Sequence, residues 1–414
     1  MKRVVITGMG VISPLGNNVQ TLWEALQSGS SGIKKIEHFD CTNQKTQIAG
    51  LVENFDAAEV FGKKEAKKLD RFTQFSLAAA EQALADSQLD LQNINPERIG
   101  VYVGSGIGGL QTLIDNVQTL NERGPSRVSP NLVPMMISNA AAAQISIRLK
   151  AEGPSLSPVT ACSIGNTAIG EAFNSIRNGN ADIIFSGGAE AAITPLSLAS
   201  FSNAKALSTN NTAPHLASRP FDRQRDGFVM SEGAGILVLE SLEHAKSRNA
   251  PIYGEIIGYG ASSDAYHMVA SHPDGLGAYA AMNQAIKSAN ITISDIDVIS
   301  AHATSTPVGD RSETLAIKKL FGERAYQIPV TANKSMLGHM LGASGGVEAI
   351  ALVKSLITGI IPPTINFQTP DADCDLDYVA NKARPANHLK IGISNSFGFG
   401  GHNSSIIIKK YPLI

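Results

Sequence analysis

At 414 residues the chain exceeds what one hydrophobic core ordinarily organises, and with 43% hydrophobic against 17% charged residues it is no disordered polymer. A net charge of −2 gives neither nucleic acid nor an anionic membrane an electrostatic reason to bind, and we expect no apolar run of bilayer-spanning length. Three cysteines, Cys41, Cys162 and Cys374, are too few and too scattered for a disulfide framework, so reduced thiols and a cytoplasmic location are expected.

In chain order, the opening "MKRVVITGMGVISPLG" reads as a strand entering a turn and not as a signal peptide. Helical spacing follows in "VQTLWEALQSG" and "DRFTQFSLAAAEQALADSQ", then a buried strand in "RIGVYVGSG" and a helix in "AAAAQISIRLK". "SPVTACSIGNTAIGEAFNSI" places a lone cysteine where an apparent strand runs into a helix, and "ADIIFSGGAE" and "GAGILVLESL" read as strands. After about residue 250 the theme restarts, with strands in "PIYGEIIGYG" and "IDVISAHATS" and helices in "GAYAAMNQAIKSAN" and "RSETLAIKKLFG". The tail "KIGISNSFGFGGHNSSIIIKKY" reads as two strands joined by a glycine-rich turn.

"ACSIGNTAIGEAFNSIRNGNADII" is echoed by "GHMLGASGGVEAIALVKSLITGII": small residues enter a glycine-containing helix, which leads to an apolar strand-like end. We read a duplication into halves 1–250 and 251–414, packed together as a layered α/β protein with no flexible linker.

Several motifs invite a false reading. "GSGIGG" (Gly104 to Gly109) has dinucleotide-site spacing, but no second parallel strand or terminal acid follows, so a glycine turn projecting Ile107 into a cavity is expected. "DRSE" (Asp310 to Glu313) is read as a capping box and not as an acid/base pair. Cys374 lies in an acidic stretch that raises its thiol pKa, and His38, His215, His244 and His388 are read as surface residues.

Three segments do place an ionisable side chain at a strand end among small residues: "VTACS" with Cys162, "ISAHATSTPVGD" with His302, and "NKSMLGHMLGASGG" with Lys334 and His339. A thiol at a helix start meets the positive end of the macrodipole, which favours thiolate. With two imidazoles it suggests acyl-thioester chemistry through a covalent intermediate, against the blander alternatives of a structural cysteine and hydrogen-bonded core histidines. No C-x-x-C or H-x-x-x-H pairing supports zinc.

These blocks, with "SNSFGFGGHN", "GMGVISPLGN" and "RPFDRQRDGFVMSEGAGILVLE", resemble the signature blocks of the β-ketoacyl-acyl-carrier-protein synthases, in order and over essentially the whole chain. The resemblance implies a thiolase-like α/β fold with duplicated αβαβα layers, a homodimer, and a decarboxylating Claisen condensation of acyl- with malonyl-carrier protein. It implies that Cys162 carries the acyl chain, that His302 and His339 stabilise the enolate, and that the N–H groups of Cys162 and Phe399 form the oxyanion hole. Lys334 would be a supporting charge paired with Glu348. Thr304 and Thr306 would hold the pantetheine arm, and Ile107, Phe397 and Phe399 would shape and gate the acyl pocket.

Lys63, Lys64, Lys67, Lys68, Arg127 and Lys205 would dock the acidic carrier protein. No metal or resident cofactor is implied, since the phosphopantetheine arm arrives with the carrier. Two departures stand out: Ala303, where many members have Gly, is expected to avoid a glycine-only conformation, and His402 replaces a common Thr beside the gate. "FGFGGHN" lacks the second cysteine of thiolases, and the Cys-His-His set differs from the initiating synthase. A type I synthase, a polyketide synthase subunit and a non-catalytic chain-length partner remain alternatives, and the "SSDAYHM" block favours the fatty-acid type II enzyme.

Overall fold

The computed structural model describes residues 1–411. Ten strands share one sheet: β1 (Val4–Ile12), β2 (Ile99–Gly104), β3 (Ser155–Leu156), β4 (Ile183–Glu190), β5 (Gly233–Ser241), β6 (Gly254–Ser263), β7 (Val298–Ser300), β8 (Val330–Thr331), β9 (Ile391–Gly398) and β10 (His402–Lys410). Read outward from the middle, the first five run β1-β5-β4-β2-β3 and the last five run β6-β10-β9-β7-β8. Adding five to each label of the first half gives the second. The polarities repeat as well: two antiparallel pairings and then two parallel ones in each half. The halves join where Val4–Ile6 of β1 pairs antiparallel with Gly254–Ile256 of β6.

The principal helices are α1 (Val19–Ser28), α2 (Arg71–Ser87), α3 (Leu110–Arg123), α4 (Ala140–Leu149), α5 (Ile164–Arg177), α6 (Pro195–Asn203), α7 (Leu276–Ala289), α8 (Pro307–Phe321) and α9 (Ser344–Thr358). The helices α2 and α4 cover the outer face of the first five strands, and α7, with α8 beside it, covers that of the last five. Between them lie α5 and α9, which touch strands of both halves and each other. The result is the five-layered αβαβα arrangement expected of the sequence. Strands covered on both faces become continuous apolar runs, and β1, β4 and β5 are buried along their whole length.

The middle layer corrects one expectation. Leu341–Thr358 is apolar and long enough to cross a bilayer, but 83% of it is buried inside the protein, so burial on all sides accounts for its composition. A Cβ on Gly165 would lie 2.5 Å from the Gly346 nitrogen, and one on Gly345 would lie 2.6 Å from the Asn166 nitrogen. Nothing but glycine lets α5 and α9 meet backbone to backbone there.

Each of these helices is entered through a tight turn, Ala161–Ser163 before α5 and Leu341–Ala343 before α9. Each turn begins on a non-glycine residue in the left-handed region, Ala161 at φ 51° and Leu341 at φ 47°. The duplication therefore pairs Cys162 with Gly342. The echo departs from expectation at its end: Ile360–Ile361 joins a separate two-stranded sheet with Arg384–Pro385, and the counterpart of β4 is β9, some thirty residues later.

Candidate active site

Cys162 sits at the start of α5, and the loops after β7, β8 and β9 converge on it. Together they line a cavity of about 530 Å³ that includes Ile107, Cys162, His302, His339, Phe397 and Phe399. The rings of His302 and His339 stand edge to face, 5.4 Å between centroids, with Phe397 5.7 Å from His302 and Phe228 5.2 Å from His339. Sequence separations of 140 residues and more thus close into one site.

The backbone N–H groups of Phe399 and of Cys162 itself face the thiol. This approach depends on Gly398, where a Cβ would lie 2.9 Å from the Cys162 nitrogen and 2.8 Å from the Thr160 carbonyl oxygen. Two N–H groups aimed at one point form a receptor for an oxyanion developing on a bound carbonyl.

Electrostatics corrects the expectation of a resting thiolate. Burial pushes the Cys162 thiol up to about 12; Lys334 and the two N–H groups favour the anion but do not offset it, and Glu190 opposes them. Burial also holds both imidazoles well below their usual value, with Lys334 adding to the effect on each. The site at rest is a neutral thiol beside two neutral imidazoles. Nδ1 of His339 lies 3.1 Å from Ser344 Oγ; a hydroxyl donating there leaves the proton on Nε2, on the cavity side. Nδ1 of His302 is buried with no partner among the described residues.

Lys334 and Glu348, each 1% exposed, form an ion pair, as expected. Burial lifts the Glu348 carboxyl to about 7 against the pull of Lys334. Among the described residues no three His, Cys, Asp or Glu side chains gather as a metal site.

The capping-box expectation for "DRSE" fails. The helix α8 starts at Pro307 with Thr306 as its cap, the Thr306 side chain accepting from the Gly309 N–H, so Asp310 and Glu313 lie inside it and are buried. They face the loop that follows β7. Glu313 accepts from the N–H groups of His302 (2.9 Å) and Ala303 (2.8 Å), and Asp310 from those of Ser305 (3.1 Å) and Thr306 (3.3 Å). Asn395 of β9 donates to Glu313 at 3.1 Å. Ala303, expected to avoid a glycine-only conformation, instead has φ 29°, and Ser305 has φ 69°. Two carboxylates one helical turn apart hold this strained loop, and with it His302, in place.

The remaining residues divide. Thr304 and Thr306 line the cavity with hydroxyls 3.1 Å apart. The "GSGIGG" segment is the expected turn, with Ile107 in the cavity wall. Lys63, Lys64, Lys67, Lys68, Arg127 and Lys205 are exposed, and of this set Lys205 alone lines the cavity. His402 is exposed beside Gly400. Cys374 is a poor nucleophile, but mainly because burial lifts its thiol to about 11. His244 is no free surface residue: it is half-buried against Glu240. Sequence reading missed Glu190 and Asn395, whose partners are distant in the chain, and Ser344, which meets His339 five residues before it.

Residues 1–245 match the model of the β-ketoacyl synthase N-terminal domain and residues 253–368 that of its C-terminal domain. The chain is a β-ketoacyl synthase. It is 50% identical to the 3-oxoacyl-[acyl-carrier-protein] synthase 2 of Synechocystis over 99% of its own length and 98% of that protein's. Among solved structures, a β-ketoacyl synthase from Burkholderia phymatum superposes with a TM-score of 0.93 at 35% identity, covering 100% of both chains. A ketosynthase solved with its acyl-carrier protein, from a type II polyketide synthase, superposes at 0.92 and 35% identity, covering 99% of this synthase and 100% of that chain.

Proposed function

We propose that this β-ketoacyl synthase elongates fatty acids, condensing acyl-carrier protein with malonyl-carrier protein through an acyl thioester on Cys162. The observation that carries this is the buried convergence of one thiol, two neutral imidazoles and two backbone N–H groups on a single cavity. The 3-oxoacyl-[acyl-carrier-protein] synthases of about half-identical sequence support the fatty-acid type.

The Cys162 sulfur attacks the thioester carbonyl of the incoming acyl chain, and the N–H groups of Cys162 and Phe399 receive the oxyanion. Sγ gives up its proton as the bond forms, and the departing pantetheine sulfur takes one; a neutral imidazole beside the thiol relays it. Malonyl-carrier protein follows. Its carboxylate leaves as carbon dioxide, and the thioester oxygen becomes an enolate that accepts from the N–H groups of His302 and His339. Neutral imidazoles suit this step, because a hydrogen bond that strengthens as charge develops favours the transition state over the bound substrate. The enolate carbon attacks the acyl carbonyl in the same oxyanion hole, and Cys162 leaves and regains a proton.

Thr304 and Thr306 hold the pantetheine arm, and Ile107, Phe397 and Phe399 shape the pocket. The exposed lysines, Arg127 and Lys205 meet the acidic carrier. These steps call on no resident metal or cofactor, and the enzyme works in the cytoplasm. It works as a homodimer: β3, a two-residue edge strand, carries exposed Leu156 with Val159 exposed just beyond it, and α3 exposes Leu113, Val117 and Leu120.

The test is product formation. With dodecanoyl- and malonyl-carrier protein the enzyme should yield 3-oxotetradecanoyl-carrier protein and one equivalent of carbon dioxide. Folded enzyme that gives neither would sink the proposal.

A further inference from the structure

Glu190 ends β4 with its carboxylate fully buried, and no step above uses it. Its Oε1 accepts from Ser105 Oγ at 2.9 Å and from the Ile107 N–H at 3.1 Å. Its Oε2 accepts from the Gly106 N–H at 2.9 Å and the Gly342 N–H at 3.1 Å. One side chain therefore fastens the turn after β2 to the turn before α9.

The duplication explains these donors. Gly342 is the counterpart of Cys162, so the N–H that faces the reacting centre in the first half has a twin in the second. The twin receptor holds no substrate; Glu190 occupies it. Both fastened turns present side chains to the acyl cavity, Ile107 from one and Leu341 from the other. There is little slack. A Cβ on Gly106 would lie 2.9 Å from Glu190 Oε2, and one on Gly342 would lie 3.0 Å from the same oxygen and 3.1 Å from the Gly106 nitrogen.

We propose that Glu190 is a positioning residue for acyl-chain length, clipping the Ile107 and Leu341 turns together and so fixing how deep a chain the pocket accepts. The proposal rests on the acyl-Cys162 mechanism above. Glutamine keeps the size of the side chain but offers one acceptor oxygen in place of two. With the amide N–H₂ in place of Oε2 the Gly342 N–H loses its acceptor and the turn before α9 is released; in place of Oε1, the Ile107 N–H loses its acceptor and the turn after β2 keeps only the Gly106 bond. The pocket wall then yields, and longer chains gain.

The experiment measures the rate of Cys162 acylation with decanoyl- and hexadecanoyl-carrier protein for wild type, Glu190→Gln, Ile107→Ala and the double variant. Glu190→Gln should raise the hexadecanoyl-to-decanoyl ratio about fivefold or more, in keeping with the loss of hydrogen bonds to a buried charged group. A purely structural defect would lower both rates together and leave the ratio alone. In the Ile107→Ala background the Glu190 effect should shrink, because one of the two side chains through which it acts is gone. If Glu190→Gln does not fold, Gly342→Ala, which wedges the same clip apart without a left-handed backbone, should move the ratio the same way.

A ratio within about twofold of wild type in the folded variant, or an effect undiminished without Ile107, overturns the proposal. Wild type that takes no acyl chain would instead overturn the mechanism on which it rests.

Discussion

The nucleophile of this enzyme is kept as a thiol until substrate arrives. Burial dominates the helix end, Lys334 and the two N–H groups, so the resting Cys162 stands near 12. Its thiolate fraction then rises with pH throughout the working range, because both imidazoles are already neutral and supply no lower titration. Alkylation of Cys162 by iodoacetamide, followed by mass, should accelerate about tenfold per pH unit between about pH 7 and 9 without a plateau. A plateau below pH 8 would mean a stabilised thiolate.

Replacing Lys334 by Met removes the cation that pulls the thiol down, so alkylation should slow at every pH. The same change strands Glu348, and unfolding by urea should show a loss of up to about 3–5 kcal/mol, less where Glu348, lifted by burial, takes a proton. The residues that converge on the cavity, Cys162, His302 and His339, were legible in the sequence, each marked by an ionisable side chain among small ones. The ionisation state was not, because it depends on depth of burial, which no local pattern reports. Glu190 shows the same limit: an acid closing an apolar strand is visible, but its four donors come from two distant turns.

Single elements carry the geometry. The spacing of Asp310 and Glu313 suits a capping box, yet the helix begins earlier, and "TPVG" held the signal: a threonine cap followed by proline in the first turn. Both acids are thereby turned onto the His302 loop. Glu313→Gln leaves one acceptor oxygen for the His302 and Ala303 N–H groups, at a cost of about 1–3 kcal/mol. The decarboxylation of malonyl-carrier protein should fall further than the acylation of Cys162, since the proposed mechanism gives His302 its role in the former. Equal losses in both would contradict a positioning role for Glu313.

Long helices and buried strands such as α2, α7, β1 and β5 were readable from periodicity. The three-residue β7 was read within "IDVISAHATS", but β3 and β8, two residues each, were not, because neighbouring strands and not their own pattern hold them. The glycines of α5 and α9 were visible in the sequence as part of the internal echo, and the structure shows them as the point where the two helices meet. Gly165→Ala would thrust a methyl group against the Gly346 backbone, and urea unfolding should show a loss of about 1–3 kcal/mol or more. A loss below about 0.5 kcal/mol would mean that the two helices can separate without cost.

At the scale of the whole molecule, the duplication divides labour between twin turns. The first presents Cys162 to the reacting centre; the second, with Gly342, receives Glu190. Among the described residues the edge of the first half also remains unpaired at β3, where Leu156 is exposed, and α3 exposes further apolar side chains. The 43.5 kDa chain should therefore sediment at twice its mass, and Leu156→Lys with Val159→Lys should shift it toward the monomer. Wild type that sediments as a monomer at micromolar concentration would contradict the homodimer.

The most direct test of the central claim is the intact mass of the enzyme after exposure to dodecanoyl-carrier protein, before and after malonyl-carrier protein is added. Wild type should gain one acyl mass on Cys162, Cys162→Ser should form no such thioester, and the malonyl donor should clear the adduct as a β-ketoacyl product. Folded wild type that never acylates would contradict the covalent mechanism. An adduct that malonyl-carrier protein leaves in place would contradict the roles of His302 and His339.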